Sequence, residues 1–209
     1  MANTTSQISI CNRALQINGY QPITSITDGS RGSRAMLRAY QPVLLRLLRS
    51  KFWNFSIQRA SLTASAVTPA FGPAFYFPLP PDYLMMAPPD QRYGVAYGGY
   101  ISGPPNVNDY QIEQMPGEGG SAIVSDQASP INIRYVSQNV TEGLFDPSFA
   151  EAFAALLAVE TCEELTQSSS KLQQAGKIYD DAMEDAKQRN AFEQRPMNPP
   201  IDSWITQRF

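Results

Sequence analysis

The stretch between residues 31 and 62 carries Arg31, Arg34, Arg38, Arg46, Arg49, Lys51 and Arg59, and no acidic residue. Guanidinium groups at helical spacing can do one of two jobs. They neutralise nucleic-acid phosphates, or they meet carboxylates on another helix. The second half of the chain supplies such carboxylates in Glu151, Glu160, Glu163, Glu164, Asp180, Asp181, Glu184 and Asp185. A single-strand binder interleaves its cations with exposed aromatics on which bases stack. Here Phe52, Trp53 and Phe55 are instead crowded at the end of the stretch. A basic helix face answering an acidic one is therefore the first reading, with direct DNA contact second. The residues assigned to it are Arg34, Arg38, Arg46 and Arg49 against Glu163, Glu164, Asp180 and Asp181. The match can lie within one chain or join neighbouring copies; the sequence leaves both open.

Other chemistry is poorly supplied. The chain has no histidine, which removes Ser-His-Asp, Cys-His and histidine-based metal sites. Cys11 and Cys162 are the only cysteines, too few for a zinc site. Each falls on an apolar helical face, so two buried free thiols are expected rather than a disulfide. Gly94, Gly98, Gly99, Gly117, Gly119 and Gly120 are not followed by the Lys-Ser/Thr and helix of a phosphate loop; they read as turns in a sheet. Glu163 and Glu164, like Asp180 and Asp181, are adjacent in sequence and point in different directions, which ill suits a paired acid and base. No catalytic, metal-binding or cofactor-binding residue is assigned, and no cofactor is expected. Two readings from other classes stay in view: a DNA-binding accessory protein, and a cell-wall hydrolase working through carboxylates.

The elements that would position these charges follow from periodicity. Thr4, Thr5 and Ser6 are candidate caps for a first helix at about 5–18, and Gly19 is its stop. Residues 21–30 have turn chemistry throughout. A second helix at about 31–52 has Leu37, Tyr40, Leu44, Leu47 and Leu48 as its apolar stripe. Pro42 lies inside it, so a kink near Arg38–Tyr40 or a split into two helices is expected. From Phe55 to Val140 the pattern becomes strand-like among prolines and glycines, which predicts an antiparallel sheet or a small sandwich. Phe55, Ile57, Ala60 and Leu62 read as one strand, residues 75–84 as an aromatic strand ending in a turn, and 122–125 with 131–136 as a hairpin. Residues 86–120 are rich in Pro and Gly and read as holding a long exposed loop. Asp146-Pro147 opens a third helix to about 167, Ser168–Ser170 can recap, and a fourth runs from Lys171 to about 192. Residues 193–209 lose periodicity around Pro196, Pro199 and Pro200, yet carry Met197, Ile201, Trp204, Ile205 and Phe209. These are too apolar to stay in solvent.

The fold expected is α+β. The N- and C-terminal helix pairs (residues 1–54 and 146–192) form one four-helix bundle, because neither pair buries its stripes alone. An antiparallel β domain (55–145) is inserted between them, and an extended tail (193–209) follows. With 209 residues the chain can bury a sizeable core. The formal net charge of −3 gives no global pull toward nucleic acid. No apolar run approaches the roughly 18–20 residues that span a bilayer, so no membrane partner is expected. The N-terminus lacks a signal-peptide pattern; a cytosol-like compartment is expected, unless the protein leaves within a larger particle.

The order of motifs resembles one family. Ile10-Cys11-Asn12-Arg13-Ala14-Leu15 and then Pro22-Ile23-Thr24-Ser25-Ile26-Thr27-Asp28 are similar to the N-terminus of the tail tubular protein A family, the head-to-tail adaptors of short-tailed, T7-like phages. Leu47-Leu48-Arg49, Trp53-Asn54-Phe55 and Arg59-Ala60 resemble its second helix and following strand. Leu79-Pro80-Pro81-Asp82 resembles its P-x-D turn. Ile133-Arg134-Tyr135-Val136, Phe145-Asp146-Pro147-Ser148-Phe149 and Ala154 to Ala158 resemble its return to helix. The likeness spans about 5–190; residues 88–120 and 193–209 depart from it. It implies a structural, non-enzymatic role in the virion neck, reached from the host cytoplasm during assembly. The partners implied are copies of the same chain in a ring, typically a dodecamer, the portal protein, the tail nozzle protein, and double-stranded DNA passing without sequence specificity. The portal contact is assigned to Met197, Ile201, Trp204, Ile205 and Phe209; the tail folding back on its own bundle is the alternative. Another neck or head-completion protein of the same virion is the nearest rival.

Overall fold

Capping chemistry sets the helix ends. α1 (Gln7–Ile17) starts at Ser6, whose hydroxyl accepts from the Ser9 amide while the Ser9 hydroxyl accepts from the Ser6 amide. It stops where Gly19 turns to φ +63, letting the Gly19 and Tyr20 amides reach the Gln16 and Leu15 carbonyls. α2 (Arg31–Ser50) is capped by Ser30. α3 (Pro147–Thr166) is capped by Asp146 with Pro147 in its first turn, and α4 (Ser169–Phe192) by Ser168. These boundaries follow the sequence reading to within about two residues. The structure, a computed structural model, describes residues 5–87, 95–96, 99–100, 111–117 and 119–193.

α2 is one unbroken helix despite Pro42. Pro42 lies on the exposed side, where the Arg38 carbonyl that loses its amide partner is on the solvent-facing flank. The expected split into two helices does not occur. The buried stripe is also rotated from the expected one. Leu37 is 53% exposed, and Ala35, Met36 and Val43 join Tyr40, Leu44, Leu47 and Leu48 inside.

α3 is the central helix. Its apolar residues lie on all sides, from Phe149 and Phe153 to Leu157 and Leu165, and α1, α2 and α4 each pack against it. A helix that is apolar all round must be enclosed. The two ends of the chain thus share one core, with Ile10, Leu15, Leu44, Leu48, Phe149, Leu157 and Met183 in the same cluster. Polar fasteners close it. The Asn18 amide group donates to the Ala158 carbonyl (2.9 Å), and Lys171 Nζ donates to the Asn18 carbonyl (2.9 Å).

The inserted segment forms two small antiparallel three-stranded sheets. The first orders β1 (Ile57–Leu62), β8 (Ile131–Ser137) and β3 (Tyr83–Met86); the second orders β2 (Phe75–Pro78), β7 (Ser121–Ser125) and β6 (Gln111–Gln114). β4 (Val95–Ala96) and β5 (Gly99–Tyr100) pair with each other. The first sheet is the middle layer. Its β8 sends Val136 to the helical core, with Leu84 and Met85 packed alongside. From its other face Ile131, Ile133 and Tyr135 pack with Leu62 on Phe77 and Ile123 of the second sheet. A register shift between Tyr83 and Met85 makes Leu84 the extra residue, so Leu84 and Met85 both face the helices.

Three strand expectations are corrected. Residues 122–125 and 131–136 do not form a hairpin: β7 and β8 belong to different sheets and meet face to face. The connection is held away from a tight turn, because Asp126 Oδ1 accepts from the Ala74 amide (2.8 Å) and Ser129 Oγ from the Ala64 amide (3.1 Å). Residues 75–84 are two strands. Pro78, Pro80 and Pro81 donate nothing to a ladder, and across them the chain changes sheet. Phe55 precedes the first strand, in a single 3-10 turn (Asn54–Ser56), and packs on the helical core.

Candidate functional site

The basic helix and the acidic helices meet along the α2–α3 seam. The two helices run antiparallel, so Arg38 sits opposite Glu164 and Arg46 opposite Glu160, and both pairs form ion pairs. The Arg31 guanidinium donates to the Glu164 backbone carbonyl near the end of α3, where a helix dipole favours a cation. Arg13 of α1 makes a further pair with Glu151, at 2.6 Å, and the carboxylate holds the guanidinium above its ordinary pKa. Between the two seam pairs lies an open groove of about 400 Å³, lined by Ala35, Ala39, Pro42, Val43 and Thr161 as well as the four charged residues. The paired side chains are 40–63% exposed, so each pair contributes only ~0–1 kcal/mol and acts mainly on register.

The eight charged residues singled out from sequence therefore divide. Arg38, Arg46 and Glu164 are paired inside the chain. Arg34, Arg49, Glu163, Asp180 and Asp181 are exposed and have no ion-pair partner among the described residues. Glu160, Glu151, Arg13 and Arg31 complete the seam but were not assigned to it. Glu160 could have been found from its i, i+4 spacing to Glu164 on one face of α3; Arg13 with Glu151 joins α1 to α3, and nothing in the local sequence marks that pair. Met197, Ile201, Trp204, Ile205 and Phe209 lie outside the described residues.

The aromatic knot is core. Trp53 is fully buried, its indole N–H donates to the Leu47 carbonyl (2.9 Å), and its ring meets Phe149 edge-on. Phe55, Phe145 and Phe153 extend the cluster. Next to it Asn190, 8% exposed, clasps the chain between α2 and β1. Its Oδ1 accepts from the Asn54 amide (2.9 Å), its Nδ2 donates to the Phe52 carbonyl (3.0 Å), and its own carbonyl accepts from Asn54 Nδ2 (3.0 Å). Nothing in the local sequence marks Asn190; only the fold brings residue 190 to residue 54.

Cys11 and Cys162 are both buried free thiols. Burial, with the Glu142 carboxylate beside it, pushes the Cys11 thiol up to about 12. The same two causes raise the Tyr40 phenol, whose hydroxyl donates to Glu142 Oε1 at 3.0 Å. Asp82 accepts from the Tyr135 hydroxyl (3.1 Å) and the Ser137 hydroxyl (2.6 Å), tying the turn before β3 to β8; burial and this carboxylate raise the Tyr135 phenol. No group of His, Cys, Asp and Glu suited to a metal ion occurs among the described residues. No helix among them is long and apolar enough to cross a membrane.

No protein-family model matches the chain, and no curated protein matches it.

Proposed function

We propose that this protein is a structural head-to-tail adaptor of a short-tailed phage virion. Copies form a ring, of twelve by family resemblance, that joins the portal protein to the tail nozzle protein. Double-stranded DNA passes through without sequence-specific contact. The helices act as a four-helix bundle built from residues 1–54 and 146–192, with 55–145 as the inserted β domain. Residues 193–209 act as an extended arm whose Met197, Ile201, Trp204, Ile205 and Phe209 grip the portal. Neighbouring copies meet through the charged helix faces. The role is mechanical, and no chemical step is assigned to the chain.

The observation that carries this reading is the shared core of the two chain ends, with strands inserted between them. That is the arrangement expected from the ordered motifs, with Trp53-Asn54-Phe55 and Phe145-Asp146-Pro147 at the two crossings. The uncompensated charges on α2, α3 and α4 support a surface that meets other copies.

Negative-stain microscopy of the purified protein, alone and with portal, tests the proposal. Rings that cap the portal are expected, and a chain ending at residue 192 should form rings that no longer hold it. A protein that neither assembles nor binds portal at any salt concentration would refute the reading.

A further inference from the structure

Helices that place like charges one turn apart work against themselves. On α2, Arg31 and Arg34 are three residues apart, Arg34 and Arg38 four, and Arg46 and Arg49 three. On α4, Asp180 and Glu184 are four apart, as are Asp181 and Asp185. Relief inside the chain is partial. Arg38 and Arg46 have Glu164 and Glu160, Arg31 has the Glu164 carbonyl, and Asp185 has Arg189. Arg34 and Arg49 on α2, Asp180, Asp181 and Glu184 on α4, and Glu163 on α3 have no ion-pair partner among the described residues, and all are exposed. Nothing in the core requires a charge at any of these positions; only Arg49, in the last turn of α2, gains from the helix dipole.

We propose that the Arg34–Arg49 face of α2 docks on the Glu163, Asp180, Asp181 and Glu184 surface of a second copy of this chain. This rests on the ring reading above and names its subunit contact. The charges are complementary in balance: the unpaired groups on α2 are cations, and on α3 and α4 the four unpaired anions outnumber the exposed, unpaired Lys177 and Lys187 among the described residues. Every copy carries both faces, so the supply is equal. A polyanion would be drawn to α2 but repelled by the carboxylates of α3 and α4 in a chain of net charge −3. Geometry adds a condition. At 1.5 Å per residue, Arg34 and Arg49 stand about 22 Å apart along α2, so they cannot share one carboxylate cluster. The anions stand in two places: Glu163 near the end of α3, and Asp180 with Glu184 one turn apart on α4, Asp181 lying on the flank. Because different faces meet, the contact is heterologous, and repetition either closes a ring or runs on as a filament.

The test uses two variants of the full chain, Arg34→Glu with Arg49→Glu, and Glu163→Lys with Asp180→Lys and Asp181→Lys. Far-UV circular dichroism and melting temperature check that both fold. Sedimentation velocity should show wild-type assemblies at about 0.05 M salt that weaken at about 0.5 M. Each variant alone should associate about tenfold or more weakly. An equimolar mixture should assemble again, since each altered face then meets its altered complement. Either variant assembling like wild type, or a mixture that stays dissociated, overturns this contact and leaves the ring reading standing. Loss of binding to a duplex DNA probe by the α2 variant with assembly unchanged also overturns it, and assigns α2 to nucleic acid. A wild-type chain that stays monomeric with and without portal removes the ring reading and this inference together.

Discussion

Replacing Asn190 by alanine sets two physical effects against each other. Asn190 lies in the last turn of α4. On helix propensity alone, Asn→Ala there should stabilise by up to about 0.7 kcal/mol. The clasp predicts the opposite. The variant loses two side-chain hydrogen bonds, from the Asn54 amide and to the Phe52 carbonyl. Each contributes ~1 kcal/mol net, and no buried-orphan penalty is added, because Phe52 and Asn54 are only half-buried. The bond from Asn54 Nδ2 to the Asn190 carbonyl survives, because it uses the backbone. Allowing for propensity, the net loss is about 1–2 kcal/mol, a fall in Tm of about 2–8 °C for a chain of this size. Urea denaturation followed by tryptophan fluorescence reads it directly, since Trp53 is one residue from the clasp. Hydrogen exchange should speed up at residues 52–56 and 186–193 before it does elsewhere. A variant as stable as wild type, or more stable, would mean that the clasp is incidental and the end of α4 is held by packing alone.

Two further outcomes follow from the buried groups. Trp53→Ala should cost about 3–5 kcal/mol, whereas Trp53→Phe keeps most of the ring contact and should cost about 1–2 kcal/mol through the lost indole hydrogen bond and the smaller ring, the Leu47 carbonyl still accepting from the Ser50 hydroxyl; chemical denaturation separates them, and a phenylalanine variant as stable as wild type would deny the indole hydrogen bond any role. The Cys11 thiol, held at about 12 against an ordinary 9.0, keeps its proton in the fold after the unfolded chain has released it. Stability from this source is complete below about pH 9 and is lost as pH rises toward 12, at up to ~1.4 kcal/mol per pH unit. Cys11→Ala should flatten that slope, and an unchanged slope would assign it elsewhere, with the raised Tyr40 phenol first in line.

Much of the fold was legible because its signals are local. Ser6, Ser30, Asp146-Pro147 and Ser168 mark helix starts by chemistry that needs no tertiary partner. The strands were legible as strands for the same reason. Their partners were not. Period-two alternation in 122–125 and 131–136 is the same whether two strands share an edge or stack face to face. What separates the cases here is a pair of side-chain bonds from Asp126 and Ser129 to residues more than fifty positions earlier. Leu37 was misplaced because Leu48 and Leu44 already define a stripe that tolerates it on either flank; α3 packing on Ala35, Ala39 and Val43 turned the helix away from it. For the charged residues, type and helix were readable but pairing was not. Arg38 and Arg34 are alike in sequence, and only the antiparallel register of α2 on α3 gives one a glutamate and leaves the other bare.

That register also explains why the charged surface and the aromatic knot belong to one mechanical unit. α3 is apolar on every side and cannot stand without α1, α2 and α4 around it. Its N-terminal half holds Phe149 and Phe153 against Trp53, Phe55 and Tyr40, and its C-terminal half holds Glu160 and Glu164 against the arginines of α2. The middle sheet rests on the same core through Val136, Leu84 and Met85. The end of α2 is thus tied through Trp53 to the helical core and, through Asn190, to the end of α4 just before β1 begins. Residues 52–55 join helices to sheet as a fastened corner, with Trp53 buried, its neighbours half-buried, and hydrogen bonds reaching both α2 and α4.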